Sequence, residues 1–465
     1  MVIYSSAMIH RITFYVFLVV ILLAPLPFAS NRPWSETLLM TLIGALLIAE
    51  ILSAHDSRYA DKRFLLRMLP GLMLWLSVAV WAWLQAFPGL PESLVHPLWA
   101  ETSTIIGRPV TATISLDPEA TRIATIRFLT YGAVFWIAAR FCQNYIFATT
   151  TLKWFVAASG LYALYGFVVY VSGNETILWF EKWAYHRDLT STFVNRNTYA
   201  TFAGLGFLAS VILTIDSMGR ALRGNETARQ FLSALIEWIV TRSWMPVSAM
   251  VLTFIALLLT HSRGGLLSTC LGFLILLIAV IRSGLIGKRV GYGLIVATIF
   301  AGVAAFNLSG EVVLKRLGTT STVNEARPEV YARTLDAISS NPWLGTGYGT
   351  YEHAFMAYKS EKLSGFNWDK AHSSYLELAM ELGVPATIAI GLAFIWLLVV
   401  NISGLIRRRR RKSFAVLGLA AIILVAAHAL VDFSLQIPGF TVAFALIAGM
   451  AWGQSWPTEP GQGAR

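Results

Sequence analysis

The sequence contains few charged residues. Only 13% of its 465 residues are Asp, Glu, Lys or Arg, against the roughly 25% usual in soluble globular proteins. Hydrophobic residues make up 56% of the chain. A soluble fold must keep more polar surface in contact with water than this composition supplies. The composition therefore excludes an ordinary cytosolic enzyme and a disordered protein.

Several patterns of known metal and enzyme sites are also missing. The two cysteines, Cys142 and Cys270, both lie in apolar stretches, so neither a disulfide framework nor a zinc site is indicated. The chain has no Asp-x-Asp pair, which usually holds a divalent metal on a sugar nucleotide, and no Gly-x-Ser-x-Gly nucleophile motif. We therefore expect no metal and no cofactor.

Long apolar runs dominate what remains. About twelve of them reach the roughly 17 to 25 residues needed to span a bilayer as helices. They lie near residues 12–30, 37–53, 69–87, 122–140, 153–171, 198–215, 244–260, 265–281, 290–306, 383–403, 414–430 and 438–453. No small-residue cleavage site follows the first run, so we interpret it as a retained helix. The expected fold is an all-α polytopic membrane protein, with one membrane domain over 1–456 and a tail at 457–465.

The net charge of +11 follows the connections between these runs. Lys and Arg concentrate in alternate connections, including the run Arg407–Lys412. The positive-inside rule places those connections and both termini in the cytoplasm. Membrane lipids, and not nucleic acid, are therefore the expected partners of the basic run.

Three longer segments fall on the opposite, outer side, at 88–121, 172–197 and 307–382. The last is the largest and contains an amphipathic helical pattern from Pro328 to Ser340. It is predicted to form a small folded cap with short helices. We expect function on this outer face.

Charged residues near membrane depth are costly and are therefore candidates for function. Arg263 lies in the sequence HSRGG between two apolar runs, where its guanidinium could grip an anionic headgroup. The alternative is a helix-end arginine that reaches the lipid headgroups. Near the sixth run, Asn195, Arg196 and Asn197 could bind sugar or phosphate, or could cap the helix.

The large outer segment adds two arginines, Arg327 and Arg333, and the glycine-rich stretch NPWLGTGYG with Gly345 and Gly347. Glycines at alternate positions resemble half of a phosphate loop, but no Lys-Ser/Thr follows, and packing in a tight turn is the alternative. At the end of the segment, His372 could act as a general base or form an ordinary hydrogen bond at a helix start.

Together the stretches TFVNRN, HSRGG, RPEVY with NPWLGTGYG, and AHSSYLELAMELGVPA resemble, in order and spacing, the O-antigen ligase and polymerase family of bacterial envelope glycosyltransferases. The likeness covers roughly residues 190 to 400. It implies a GT-C-like membrane fold in the bacterial inner membrane, with the site facing the periplasm. It also implies a donor glycan linked to undecaprenyl diphosphate and transfer to an acceptor hydroxyl.

Carried over by position, the resemblance implies that Arg263, Arg327 and His372 are the catalytic residues. The arginines would neutralise the diphosphate leaving group, and His372 would take the acceptor proton. The family has Trp four residues after the second arginine, where this chain has Tyr331. Our hypothesis adds further donor contacts from Arg333, Asn195 and Asn197.

The motifs leave the acceptor open. Transfer to lipid A-core by a ligase is favoured narrowly over extension of a growing polysaccharide by a polymerase, and relatives that glycosylate proteins form a third option. A transporter or flippase for lipid-linked glycan is the main alternative from another class, although such proteins commonly show two similar halves and none is evident here. A structural membrane scaffold would not explain the outer arginines and histidine.

Overall fold

The computed structural model describes residues 2–55, 62–221, 236–287, 291–300, 322–365 and 367–456, together with positions 233, 234, 289 and 303. Over these residues the chain is helical, apart from turns and one antiparallel pair of two-residue strands, β1 (Thr176–Ile177) and β2 (Phe180–Glu181). The predicted tail at 457–465 and the beginning of the large outer segment, 307–321, lie outside the described residues.

Sixteen helices are numbered in chain order, and a π-helical turn, Ile239–Ser243, precedes α8. Their bounds are α1 Val2–Leu23, α2 Pro33–His55, α3 Lys62–Gln85, α4 Leu98–Ile106, α5 Pro118–Phe141, α6 Tyr145–Val171, α7 Arg196–Ala221, α8 Trp244–Leu259, α9 Arg263–Arg282, α10 Gly291–Phe300, α11 Thr322–Ser340, α12 Tyr351–Phe355, α13 Ser374–Leu382, α14 Val384–Arg407, α15 Ser413–Ala429 and α16 Pro438–Gly453.

Each of the twelve predicted runs overlaps one of these helices. Among the described residues, seven helices are long and apolar enough to cross a membrane, and four shorter apolar helices accompany them. The seven are Pro33–Leu52, Lys62–Gln85, Tyr145–Val171, Arg196–Met218, Ile236–Leu259, Arg263–Arg282 and Val384–Arg407. The protein is therefore a multi-pass helical membrane protein, as its composition predicts.

Burial separates inner helices from outer ones. Every residue of α16 is buried, and so are most residues of α7 and α15. The outer helices α2, α3, α6 and α14 instead expose large apolar side chains, such as Leu52 and Leu66. A helix that is apolar on all sides belongs in a core, whereas an exposed apolar face suits contact with lipid. The inner three helices form the scaffold of the site.

The bundle has two chemically different ends. At one end, which we call the loop end, the side chain of Gln85, the last residue of α3, donates to the carbonyls of Leu344 and Glu381, and Thr192 donates to the carbonyl of Pro25 after α1. At the other, the basic end, Gln454 donates to the carbonyl of Cys142. The predicted basic connections that are described, including Arg407–Lys412, lie at the basic end.

The loop end is covered by a cap formed by residues 322–383. The cap has its own small hydrophobic core, in which Val330 of α11 packs with Tyr351 and Phe355 of α12 and with Trp368. Trp81 of α3 fixes the cap to the bundle by donating from Nε1 to the carbonyl of Leu382. The cap is therefore a folded unit with firm attachments, as the length of the segment suggests.

Candidate functional site

The centre of the site is Asp432, in the turn between the inner helices α15 and α16. Its side chain is buried, with only 2% of the residue exposed. One carboxylate oxygen accepts a hydrogen bond from Asn197 Nδ2 at 2.6 Å, and the other accepts the N–H of Phe433 at 2.8 Å. Asn197 lies in the first turn of α7, so this contact joins two inner helices at the loop end.

Arg327 and His372 reach this turn from the cap. Arg327 Nη2 lies 3.4 Å from His372 Nδ1, and Arg327 Nη1 donates to the carbonyl of Val431 at 3.4 Å. Tyr331, one turn further along α11, donates to the carbonyl of His372 at 2.9 Å. Tyr331 therefore holds the histidine segment against α11.

His372 is held in an unusual conformation and an electrostatically mixed environment. Its backbone has φ of 54°, a region that non-glycine residues seldom occupy. Its ring packs against Phe433, with centroids 5.2 Å apart. Burial, and then the Arg327 guanidinium, lower the pKa of His372, while Asp432 and Asp369 oppose this shift. Together these influences disfavour the charged form of the ring.

Arg263 is the first residue of α9 and lies next to the same turn. Ser262 caps the helix, since its Oγ accepts the N–H of Gly265 at 3.2 Å. Gly264 packs on the turn after α15, and a Cβ at this position would lie 3.1 Å from Val431 Cγ2. The N-terminus of α9, with the positive end of its helix dipole, therefore lies against the segment that Arg327 contacts, which favours an anionic ligand there.

A second polar group adjoins the first. Asp188, in the loop before α7, is bound by Arg196 Nη1 at 2.7 Å through one carboxylate oxygen and by His261 Nδ1 at 2.8 Å through the other. Lys182 Nζ donates to the carbonyl of Asp188 at 2.8 Å. The Arg196 guanidinium also lies 5.6 Å from the Tyr185 ring.

Tyr185 connects the two groups electrostatically. Burial chiefly raises the pKa of its hydroxyl, and the charges that act on it include Asp432 and Arg196, as well as Arg327. Asn195 has a structural role as the cap of α7, because its Oδ1 accepts the N–H groups of Asn197 and Thr198 at 2.7 and 3.3 Å. The loop before α7 therefore contributes one wall of the same site.

Arg333 lies outside this arrangement. It pairs with Glu329 and Asp336 on its own helix, at 2.9 and 2.8 Å, and 40% of its side chain is exposed. Two residues correspond to about 200° around a helix, so Arg333 projects nearly opposite to Tyr331. The structure does not bring Arg333 together with Arg327 and His372.

The glycine turn, residues 345–349, also has internal partners. Its N–H groups point into the protein: Gly347 donates to the carbonyl of Glu381 at 3.0 Å, and Tyr348 donates to Gln85 Oε1 at 3.1 Å. A Cβ at Gly345, where φ is 71°, would lie 2.2 Å from the Glu381 carbonyl oxygen. A Cβ at Gly347 would lie 2.3 Å from Ser115 Oγ. These contacts favour the tight-turn interpretation over a phosphate cradle.

A cavity of about 530 Å³ lies beside the site, lined mostly by apolar side chains of α2, α3, α5, α14 and α16. One end of it is polar and contains Arg127, Lys370, Glu377 and Glu381. Ser374 also lines the cavity, and its Oγ donates to the carbonyl of Asp432 at 3.0 Å. The apolar cavity and the polar site therefore share one wall.

The sequence motifs single out Arg263, Arg327 and His372 as candidates, but they do not single out Asp432 or the Asp188–His261 pair. Asp432 could have been found from the cost of a charge between two apolar runs. Asp188 gives no comparable signal, because one of its partners, His261, is 73 residues away. Among the described residues, no group of three or more His, Cys, Asp or Glu side chains is arranged to hold a metal ion.

Comparison with known proteins gives an independent result for part of the chain. Residues 248–391 match the family model described as O-antigen ligase. No curated protein matches the chain. The matched segment contains His261, Arg263, Arg327 and His372, whereas Asp432 and the loop before α7 lie outside it. The comparison therefore shows similarity to the O-antigen ligase family for this segment of the chain.

Proposed function

We propose that this protein transfers a glycan from an undecaprenyl-diphosphate donor to an acceptor hydroxyl, most closely as an O-antigen ligase acting on lipid A-core. The main support for this proposal is that Arg327, His372 and the Asp432 turn lie together beside the start of α9. The first residue of α9 is Arg263. Four separate parts of the chain meet there, and three of them lie in the segment that matches the O-antigen ligase model.

The charge of the site suits a diphosphate leaving group. When the bond between the sugar and the diphosphate breaks, negative charge grows on the leaving oxygen. Guanidinium groups remain charged and can bind phosphate oxygens with two parallel hydrogen bonds. We assign Arg263 and Arg327 to this role, and the N-terminus of α9 adds its dipole. We further propose that the reaction needs no metal.

His372 belongs to the catalytic group by position. Its Nδ1 faces Arg327, so Nε2 is the ring nitrogen left for a substrate. Asp432 fixes the neighbouring turn and Asn197, and Arg196 extends the polar wall toward the donor sugar. Asn195 supports this wall through its cap. Arg333, Gly345 and Gly347 receive no ligand contact in this proposal.

The surroundings of the site suit a lipid-linked donor. Ser374 lines the apolar cavity of about 530 Å³ and also contacts the Asp432 turn. The apolar cavity therefore adjoins the charged site. The basic connections lie at the opposite end of the bundle. By the positive-inside rule we place the basic end and both termini in the cytoplasm and the site at the periplasmic face of the inner membrane.

The decisive experiment uses purified protein in detergent with a synthetic undecaprenyl-diphosphate oligosaccharide, supplied with lipid A-core or with a second lipid-linked oligosaccharide. Label transfer to lipid A-core establishes a ligase. Lengthening of the lipid-linked chain establishes a polymerase with the same site. Binding of the donor without transfer to either acceptor would reject both the ligase and the polymerase. A transporter or flippase for lipid-linked glycan would then be the favoured function.

Variants connect the activity to the site. Arg263→Ala, Arg327→Ala and His372→Ala are expected to lose transfer, whereas Arg333→Ala serves as the matched arginine control on the cap helix. Full activity with a chelator present supports a reaction without metal. Full activity in all three site variants would reject the residue assignment.

A further inference from the structure

We propose that His261, oriented by Asp188, is the group that takes the proton from the acceptor hydroxyl. This inference rests on the proposed glycosyl transfer and deepens it, since a hydroxyl that attacks a sugar carbon must lose its proton. His261 lies two residues before Arg263, at the turn between α8 and α9.

The contacts of His261 determine which ring nitrogen carries the hydrogen. Its Nδ1 lies 2.8 Å from Asp188 Oδ1. An ionised carboxylate can only accept hydrogen bonds, so Nδ1 must carry the hydrogen and donate it. In the neutral ring, Nε2 then has its lone pair free to accept a proton. This is the arrangement by which a buried aspartate prepares a histidine as a general base.

His372 has the opposite arrangement. Its Nδ1 faces Arg327 Nη2 at 3.4 Å, and a guanidinium has donors but no acceptor. A hydrogen on Nδ1 would therefore point at another donor, so Nδ1 accepts and the neutral ring carries its hydrogen on Nε2. His372 is thereby prepared to donate a hydrogen bond to a phosphate oxygen, and proton acceptance falls to His261.

The position of His261 also fits the task. Its side chain is 38% exposed, whereas the Asp188 side chain is only 6% exposed. A substrate can therefore reach the ring while its orienting carboxylate stays shielded, which strengthens their interaction. Arg196 holds the second carboxylate oxygen of Asp188 and prevents its rotation. The N–H of Leu189 donates to the carbonyl of Leu259 at 3.0 Å, so the Asp188 loop is fixed to the end of α8.

The step balances without a further reactant. The acceptor oxygen forms a bond to the anomeric carbon while its proton passes to His261 Nε2. The bond between that carbon and the diphosphate oxygen breaks, and its electron pair remains on the diphosphate, stabilised by Arg263, Arg327 and the Nε2 hydrogen of His372. Asp188 stabilises the imidazolium, which afterwards releases the proton to water.

The test compares His261→Gln, Asp188→Asn and Asp188→Glu in the full-length protein, with His353→Gln as a control. His353 makes a similar contact to an aspartate, 3.3 Å from Asp117, but its side chain is 65% exposed on the cap. Donor affinity and the transfer rate at saturating donor are measured separately, and thermal unfolding confirms that each variant is folded.

We expect His261→Gln and Asp188→Asn to lower the transfer rate by about 10²- to 10⁴-fold with donor affinity unchanged. Asp188→Glu should recover part of this loss, because it restores a carboxylate acceptor. His353→Gln should stay within about twofold of the original rate. A transfer rate in His261→Gln close to the original, or equal losses of rate and donor affinity, would overturn the inference.

Failure of the inference is distinguishable from failure of the proposed function. If the unaltered protein transfers glycan and His261→Gln does so equally well, only the role of His261 is rejected. If the unaltered protein transfers nothing to any acceptor, glycosyl transfer itself is rejected. If Asp188→Asn and Asp188→Glu lose equal activity, Asp188 does not position the ring.

Discussion

The site turn around Asp432 and the glycine turn at 345–349 are both rich in polar contacts, but only the glycine turn stands out in the sequence, and the partners of the two turns differ. At the site turn, Arg327 and His372 approach each other from different parts of the cap, and Arg327 also donates to the carbonyl of Val431. In the glycine turn, the N–H groups of Gly347 and Tyr348 donate to Glu381 and Gln85. Residues whose polar atoms are already bound inside the protein contribute stability, whereas ligand binding needs atoms that remain available.

Removing Arg327 should give the largest effect. Arg327→Ala is expected to lower the transfer rate by about 10³-fold, as losses of one electrostatic contact to a developing negative charge do. Arg327→Lys should retain part of the activity, since it keeps the charge but not the two-pronged geometry. The measurement is the initial transfer rate with thermal unfolding in parallel. A large fall in unfolding temperature would show that Arg327 mainly stabilises the fold. In that case Arg327 would not differ from the glycine turn in its role.

Gly345→Ala tests whether the glycine turn contributes to stability. The new Cβ would lie 2.2 Å from the Glu381 carbonyl oxygen, and the backbone φ of 71° disfavours any other residue. We expect a loss of about 2 to 4 kcal/mol in the free energy of unfolding. Denaturant or thermal unfolding measures it, and Gly365→Ala is the control because a Cβ there meets no atom within 4 Å.

If Gly345→Ala instead kept its stability and lost donor affinity, the glycine turn would be a ligand site. That result would restore the phosphate-loop interpretation of NPWLGTGYG.

The acid dependence of the site gives a smaller effect. Burial and Arg327 lower the pKa of His372, so the folded protein disfavours the charged ring. Stability and activity should therefore fall as the pH drops below the ordinary value for histidine and through the lowered pKa, because a protonated Nδ1 would face the Arg327 guanidinium. Histidine ring NMR titration measures this directly.

Two variants sharpen the titration. Arg327→Gln should raise the pKa of His372 by removing the neighbouring positive charge, and Asp432→Asn should lower it further. An unchanged titration in both variants would mean that neither charge affects the pKa of His372.

Arg333→Ala should have the smallest effect. Its guanidinium is occupied by Glu329 and Asp336 on an exposed helix face. We expect a transfer rate within about twofold of the original. A loss comparable to that of Arg327→Ala would place the donor along the outer face of α11 and enlarge the site.

The sequence predicts the helices well and the pairing of residues poorly. Apolar runs determine where helices form, so each predicted run overlaps a helix, although α1 begins at Val2 and not near residue 12. Motifs make Arg263, Arg327 and His372 candidates because their order and spacing resemble those of a known family. Asp188 depends on contacts with Arg196 and His261, which only the folded chain brings together. The sequence leaves the glycine turn open between two interpretations for the same reason, since its partner Gln85 lies 263 residues from Tyr348.

The segment that matches the O-antigen ligase model contains only part of the candidate site. Residues 248–391 supply Arg327 and His372, but Asn197 and Asp432, which fix the turn that Arg327 contacts, lie on either side of it. A graft of this segment into another membrane scaffold would therefore carry the proposed reacting groups without Asn197 and Asp432. Substitutions at 197 and 432 should accordingly be inherited together, as a coevolving pair outside the recognisable domain.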